Sequence, residues 1–306
     1  MTTAPPKPPP PKPPPPVAKP PTPPPAATAA APNIVMPGQK REGHPPRRIV
    51  LTAVEGWGKT TAGAFAERPF FLMARSETGY DTLLDGGLVP DIHRARVDSF
   101  DATLAMLDQL AGDFYGCKTL VMDAHGGFER LCHEAVCARD FRNPDGTLNW
   151  GETGFTSFQR GYEIALADWI KLLGRLETLR ERQGCDILIL SHSQIRMFNN
   201  PEGPNFDRYV ADCHQKTWAH TAKWADAVLF GTFLSRVVTA GNSTKMNAKG
   251  KAQGGTERVL YTERRDTFDA KNRYGMEPAI MIPDDHTQVW ATIHAAMTKG
   301  NGHESV

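Results

Sequence analysis

A glycine-rich segment at residues 53–61 has the composition of a phosphate-binding loop. Its sequence is Ala-Val-Glu-Gly-Trp-Gly-Lys-Thr-Thr, and it lies between an apolar run, Arg48–Thr52, and a helix predicted to begin at Lys59. Gly56 and Gly58 allow main-chain amides to turn inward and form a nest for an anion. The ammonium group of Lys59 would reach the terminal phosphates, and the helix N-terminus adds its partial positive charge. The segment therefore predicts binding of a nucleoside triphosphate.

The candidate nucleotide-binding residues run through this loop into the helix: Glu55, Gly56, Trp57, Gly58, Lys59, Thr60 and Thr61. Thr60 follows the lysine directly, where its hydroxyl is expected to bind Mg²⁺. Ala53 stands where the complete signature has its first glycine, but alanine can make that turn if its φ stays negative. The alternative interpretation is a chance Gly-Lys-Thr sequence at a helix start. The flanking strand and helix favour nucleotide binding.

Two carboxylates follow apolar strands and could serve this site. Asp123 ends the predicted strand Thr119–Asp123, where an acid can hold Mg²⁺ through its water shell. Capping the helix that begins near Phe128 is the alternative role of this aspartate. Glu77 lies just past the predicted strand Pro69–Ala74, where it could orient a water molecule and accept its proton. A solvated loop glutamate is the alternative for Glu77.

Another polar group follows the strand predicted over Asp186–Ser191. Gln194 can donate to a phosphate and accept from water, so it is a candidate sensor of the γ-phosphate. His192 lies at the same strand end, although a lone histidine is more often a buried residue satisfied by the main chain. Residues 196–215 are expected to form an irregular loop that moves when the nucleotide state changes.

These residues need a scaffold that brings several strand ends together. Strand-like runs of Ile, Val and Leu alternate with helical patterns, including a long helix predicted over residues 158–182. Residues 140–157 are predicted to be a loop, and residues 227–234 and 257–262 a hairpin. The alternation predicts an α/β fold with a mainly parallel sheet flanked by helices. Ligands in such sheets bind at the carboxyl ends of the strands.

Composition divides the chain into a tail and one domain. Of 26 prolines in 306 residues, 16 fall within residues 1–32, and serial prolines favour extended polyproline II. We therefore predict a disordered proline-rich tail with a basic hinge over 1–46, a single domain over 47–300 and a flexible C-terminus over 301–306.

The distribution of charge and of cysteine excludes several classes of protein. Residues 49–306 carry 28 positive and 33 negative side chains, which excludes a uniformly basic nucleic-acid-binding body. The five cysteines form no Cys-x-x-Cys pair, so reduced thiols are favoured over disulfides or a zinc site. No apolar stretch has the length of a signal-peptide core or of a bilayer span. These features predict a soluble, cytoplasmic protein without membrane association.

Six segments carry a resemblance to a known family: Glu55–Thr61, Ser76–Gly79, Leu120–Asp123, Ser193–Met197, Lys223–Phe230 and Asp269–Gly275. Together they resemble the RecA-like P-loop ATPases, and specifically the phage AAA-family ATPases that act in single-strand annealing or recombination, over about residues 47–285. It implies a RecA-like fold that uses ATP and Mg²⁺. It also implies that Glu77 is the catalytic base and Gln194 the allosteric sensor. Lys271 and Arg273 would reach the nucleotide of a neighbouring subunit.

The same resemblance implies an ATP-hydrolysing protein that anneals or pairs single-stranded DNA in phage recombination or replication. A homo-oligomeric ring or filament would carry out this reaction in the cytoplasm of an infected bacterial host. A single-strand-binding protein of the phage or of the host would be a candidate partner. Two alternatives are a non-hydrolysing annealing protein that uses nucleotide only to assemble, and a P-loop small-molecule kinase. The kinase is disfavoured because the sequence has no arginine-rich lid.

Binding of single-stranded DNA requires cations that follow the backbone and aromatic rings on which bases stack. The segment after Gln194 interleaves both kinds of residue, and the candidate DNA-binding residues there are Arg196, Phe198, Arg208, Tyr209 and Lys216. A second basic segment, residues 236–258, includes Arg258 but has no such aromatics. Solvated loops without DNA contact are the alternative for both segments.

Overall fold

The computed structural model of the chain describes residues 45–238 and 251–299. The predicted tail, apart from Pro45 and Pro46, therefore lies outside the described residues, as do residues 301–306. Residues 239–250 of the second basic segment also lie outside them. None of the helices among the described residues is long and apolar enough to cross a membrane.

Ten strands and seven α-helices make up the described domain. The strands are β1 Arg48–Ala53, β2 Pro69–Ala74, β3 His93–Val97, β4 Thr119–Asp123, β5 Asp186–Phe198, β6 Phe206–Ala211, β7 Ala227–Val238, β8 Lys251–Tyr261, β9 Lys271–Asn272 and β10 Ala279–Ile282. The α-helices are α1 Lys59–Ala64, α2 Gly79–Asp85, α3 Phe100–Gly112, α4 His125–Asp140, α5 Arg160–Gln183, α6 Gln215–Trp224 and α7 Val289–Lys299.

The strands form a mostly parallel sheet, which confirms the predicted fold class. Its order is β10-β8-β7-β1-β5-β4-β2-β3, and the six strands from β7 to β3 are mutually parallel. β8 and β10 are added beside β7 in antiparallel orientation. Because the six parallel strands point the same way, their carboxyl ends lie side by side, and we call this border of the sheet its carboxyl edge.

Helices cover both faces of this sheet and bury two apolar layers. α3, α4, α5 and α6 pack on one face, where Leu107, Phe128 and Leu172 are fully buried. α1, α2 and α7 pack on the other face, around Trp57 and Ile293. Strands buried on both faces read as continuous apolar runs, which explains the Ile-Val-Leu and Ile-Leu-Ile-Leu sequences of β1 and β5.

The predicted irregular loop at 196–215 is wrong, because most of it forms a hairpin and the start of α6. β5 continues past the sheet, and its last residues, Ser193–Phe198, pair with β6 in antiparallel register. Alternation of polar and apolar residues along Gln194–Met197 supports this second pairing. The segment that joins the two strands, residues 199–205, contains two Pro, three Asn and one Gly, which are turn-forming residues. We call β5 from Ser193 onward, with β6, the hairpin.

Candidate nucleotide site

The phosphate-binding loop lies where β1 gives way to α1, as the sequence predicts. Gly56 and Gly58 have φ values of 73° and 102°, in the left-handed region that glycine adopts without strain. Ala53 is the buried last residue of β1, paired with His192 on one side and Gly231 on the other. Its extended conformation accommodates a side chain, so the missing glycine leaves the loop intact.

Lys59 is a buried cation held by main-chain carbonyls. Its Nζ donates to the carbonyl oxygens of Ala53 at 3.0 Å and Val54 at 3.2 Å, and the residue is 7% exposed. Burial lowers the pKa of this ammonium group, opposed mainly by the charge of Asp123. Among the described residues no carboxylate lies within ion-pair distance of Lys59. An anionic phosphate at this loop would supply the counter-charge that the protein does not.

Thr60 and Asp123 form the second part of the site. The Thr60 hydroxyl donates to Oδ2 of Asp123 at 2.9 Å, and Asp123 is 4% exposed. Burial, together with the nearby charge of Glu77, raises the pKa of this carboxyl to about 6. A hydroxyl and a carboxylate are oxygen ligands of the kind that Mg²⁺ uses alongside phosphate and water. The described residues contain no cluster of three or more His, Cys, Asp or Glu that would bind a metal ion alone.

Glu77 lies at the same sheet edge, beyond β2. Its main-chain N–H donates to the carbonyl of Ala74 at 2.9 Å, and its Oε2 is 3.9 Å from Nε2 of His192. The first turn of α4 borders this carboxylate, since a Cβ added to Gly127 would lie 3.4 Å from Oε1 of Glu77. The ends of β1, β2, β4 and β5 thus bring together the lysine, the hydroxyl and both acids predicted for the site.

Comparison with known proteins agrees with this geometry. A family profile described as AAA domain matches residues 45–274, which includes every strand from β1 to β9. The chain belongs to this AAA domain family. The family consists of P-loop ATPases of the AAA type, so the predicted P-loop ATPase class is confirmed. No match was found among curated protein sequences.

Gln194 links the site of the AAA domain to the hairpin. Its Nε2 donates to Oδ1 of Asp212 at 2.7 Å. The main-chain N–H of Asp212 in turn donates to the carbonyl of His192 at 2.8 Å. The candidate sensor therefore spans the two strands at the base of the hairpin, two residues beyond His192.

Arg258 contacts the phosphate-binding loop, although from the sequence it was grouped with possible DNA contacts. It lies within β8 and is 4% exposed. Its guanidinium donates to the carbonyl of Trp57 at 3.2 Å and contacts Nδ1 of His286 at 3.1 Å. It also donates to the carbonyls of Pro283 and Asp284. The only signal in the sequence was a cation beside the apolar run of a predicted strand.

Trp57 fixes the loop from the other side. Its indole is fully buried, and a Cβ on Gly231 would come within 2.5 Å of the ring. Because Gly231 in β7 has no side chain, it leaves space in the core for the Trp57 indole. Two attachments, the Trp57 ring in the core and its carbonyl on Arg258, hold the loop of the AAA domain in position.

Lys271 and Arg273 lie near the amino end of β7, whereas the phosphate-binding loop lies at the carboxyl ends of the parallel strands. Lys271 pairs with Val228 near the start of β7, and its Nζ donates to the carbonyls of Ala222, Lys223 and Ala225 at the end of α6. Arg273 pairs with Asp226 at 3.1 Å. The structure does not bring these two cations to the nucleotide site of their own chain.

The candidate DNA-binding residues divide into two groups. Arg196 is exposed on the hairpin, Phe198 packs against Phe206 at 5.2 Å, and Lys216 pairs with Glu163. By contrast, Arg208 has only 11% of its side chain exposed and pairs with Asp269. Tyr209 packs on Phe230 with ring centroids 5.2 Å apart.

Arg208 and Tyr209 therefore attach the hairpin to the body of the domain, through contacts with Asp269 and Phe230. Any contact of these two side chains with DNA would compete with these interactions. All five candidate residues stay predicted DNA contacts.

Proposed function

We propose that this AAA domain binds and hydrolyses ATP with Mg²⁺ and couples hydrolysis to binding of single-stranded DNA. Annealing or strand pairing in phage recombination or replication is the process that we propose for it, in the cytoplasm of an infected bacterium. The observation that carries the proposal is the course of β5. This single strand passes from the nucleotide site at His192 directly into the exposed hairpin that bears Arg196.

The chemistry proposed at the site is positioning and charge neutralisation. Lys59 and the amides of the loop would hold the phosphates, because their charge and orientation suit an anion. Thr60 and Asp123 would hold Mg²⁺, which neutralises charge on the phosphates. Glu77 would orient the attacking water and accept its proton. Its carboxylate lies next to the metal-binding pair, and within the described residues no donor lies within hydrogen-bond distance of it.

Coupling to DNA would run through the base of the hairpin. A change at the γ-phosphate that moves His192 or Gln194 would also move Asp212, because hydrogen bonds join these residues. The hairpin continues from this base, so its exposed residues would shift with the nucleotide state. Gln194 is accordingly the proposed sensor.

A ring or filament of several copies would complete the proposed assembly. Arg273 has 55% of its side chain exposed and could turn from Asp226 toward a nucleotide bound by a neighbouring subunit. Lys271 is engaged by three carbonyls of its own chain, so we propose Arg273 as the principal trans-acting cation. A phage or host single-strand-binding protein is the proposed partner on DNA.

Phosphate release measured during titration with single-stranded DNA tests the proposed function. We expect hydrolysis that DNA stimulates and that Lys59→Ala abolishes, with Lys118→Ala as the matched control. Lys118 is an exposed lysine at the amino end of β4, away from the site. Nucleotide-dependent DNA binding without phosphate release would instead favour the non-hydrolysing annealing protein. ATP binding that survives Lys59→Ala would mean that the nucleotide site lies elsewhere.

A further inference from the structure

A cavity of about 410 Å³ opens beside the first turns of α4 and the start of α5. Its outer wall is the loop 141–156, which connects these helices and was predicted only as a polar loop. The loop is held in place by main-chain hydrogen bonds from Asn149 to Phe141 at 2.8 Å and from Phe155 to Asn149 at 2.9 Å. The residues that line the cavity include Arg130, His133, Trp150, Phe155 and Tyr162. We call it the aromatic pocket.

Aromatic rings form a continuous wall of this pocket. Phe155 is buried at its centre, with the ring of Trp150 at 5.1 Å and that of Tyr162 at 5.0 Å between centroids. Gly161 is required for this packing, since a Cβ there would overlap the Phe155 ring. Trp150 is 38% exposed, although large aromatic residues usually bury their surface. A fixed wall with an exposed indole is a surface on which a flat ring could stack.

The charges around the pocket suit an anionic ligand better than a cationic one. Glu129 lines the cavity, but both its carboxylate oxygens accept from the main-chain N–H of His214 at 3.0 Å. Burial lowers the pKa of His133 to about 4, so this imidazole is neutral. Arg130 lines the opening, where its Nε donates to Oε1 of Glu134 at 3.0 Å. Its side chain is 74% exposed, and its two terminal nitrogens have no partner in the described structure, so they can still donate to a phosphate. The pocket thus joins an apolar aromatic interior to a cation that can contact a phosphate.

The first turn of α4 connects the pocket to both the nucleotide site and the hairpin. Gly126, which lines it, abuts the main chain at the base of the hairpin, since a Cβ there would come 2.7 Å from the carbonyl oxygen of Asp212. The next residue, Gly127, borders Glu77 in the same way. A ligand in the pocket would therefore lie against the helical turn that both functional regions share.

We propose that the aromatic pocket binds one unstacked base of single-stranded DNA, with Trp150 as the stacking platform and Arg130 as the contact for the adjoining phosphate. The inference rests on the proposed function, because it supplies a base-binding site for a strand that follows the hairpin. Stacking on an aromatic side chain is tolerant of sequence, which suits a protein that anneals strands of any sequence.

Binding of fluorescent oligothymidylate to the full chain, compared with an abasic oligomer of equal length and charge, tests this inference. Both are measured with ATP and Mg²⁺. The wild-type protein should prefer bases, and Trp150→Ala should weaken oligothymidylate binding by about tenfold while leaving affinity for the abasic oligomer unchanged. Trp150→Tyr should retain most of the preference. Tyr115→Ala removes an exposed aromatic side chain far from the pocket and is the matched control.

Each result separates the inference from the proposed function. If Trp150→Ala leaves the preference for bases unchanged, the aromatic pocket is not the base-binding site, although the proposed DNA binding would still hold. Absence of oligonucleotide binding by the wild-type protein would overturn the proposed function, and the pocket with it. Photocrosslinking of the wild-type chain to 5-iododeoxyuridine oligonucleotides needs no variant. Crosslinks to Trp150 or Tyr162 are expected, and crosslinks confined to the hairpin would contradict the inference.

Discussion

The Glu77 carboxylate lies 3.9 Å from Nε2 of His192, although Glu77 follows β2 and His192 lies within β5. This contact places a carboxylate and an imidazole next to the pair formed by Thr60 and Asp123. Because parallel strands end at one edge, residues far apart in the chain meet there. The relationship makes Glu77 the carboxylate best placed to accept a proton from water.

Glu77→Gln should lower the turnover rate of ATP hydrolysis by about a hundredfold or more, because an amide cannot accept the proton of the attacking water. Affinity for ATP should change little, since phosphate binding depends on Lys59 and the loop. Steady-state phosphate release and ATP binding measured by calorimetry separate the two effects. Glu67→Gln, at an exposed glutamate after α1, is the control. Hydrolysis by Glu77→Gln at the wild-type rate would assign the base to another residue.

Asp123→Asn should stabilise the nucleotide-free protein at neutral pH while it abolishes Mg²⁺-dependent ATP binding. Burial raises the pKa of Asp123 from 3.8 to about 6, so the folded state holds its proton more tightly than the unfolded chain does. Wild-type stability therefore falls as the pH rises between these values, by about 3 kcal/mol at most. Asparagine has no charge to bury and avoids this loss.

Urea unfolding without nucleotide at about pH 4 and about pH 7.5 measures this difference. The variant should be more stable than the wild type at the higher pH, and the gap should close at the lower one. Asp98→Asn, at an exposed aspartate before α3, is the control for the change in net charge. A gap that stays the same at both pH values would mean that ionisation of Asp123 does not limit stability.

The sheet and most of the site could be predicted because their signals are local. The buried strands β1, β2 and β4 read as apolar runs. Lys59 lies just past the loop that follows β1, Glu77 lies beyond β2, and Asp123 ends β4. Parallel topology then requires that these strand ends meet, so Lys59, Glu77 and Asp123 converge without further information. Proximity at the sheet edge was thus set by the order of strands and helices along the chain.

Features that depend on distant partners could not be predicted in the same way. Arg258 is recognisable as part of the nucleotide site only through the carbonyls of Trp57 and Pro283, which come from other parts of the chain. The aromatic pocket likewise depends on how the loop 141–156 folds against α4 and α5. In the hairpin, Pro, Gly and Asn cluster at residues 199–205 and are typical of a loop. The pairing of β5 with β6 on either side of this cluster was therefore not predicted.

Arg258→Met should weaken ATP binding by about tenfold, because the Trp57 carbonyl loses the donor that holds the phosphate-binding loop in place. The same change leaves buried carbonyls unsatisfied, so stability should fall by about 2 kcal/mol. Calorimetric ATP binding and urea unfolding measure the two effects. Arg258→Lys should recover part of the affinity, and Arg264→Met, at an exposed arginine nearby, is the control. Unchanged ATP affinity in a folded Arg258→Met protein would mean that Arg258 serves only to hold residues 283–286 against β8.

Arg196→Ala and Arg208→Ala should have different effects, although both arginines belong to the hairpin. Arg196 is exposed, so its loss should weaken binding of single-stranded DNA and reduce the salt dependence of log K by somewhat less than one unit. Arg208 pairs with Asp269 and is largely buried, so its loss should lower stability by about 1 kcal/mol and leave the salt dependence unchanged. DNA binding at several salt concentrations, together with urea unfolding, distinguishes the two roles. Equal salt dependence in Arg196→Ala and wild type would remove the hairpin from the DNA-binding surface, because Arg196 is its exposed cation among the described residues.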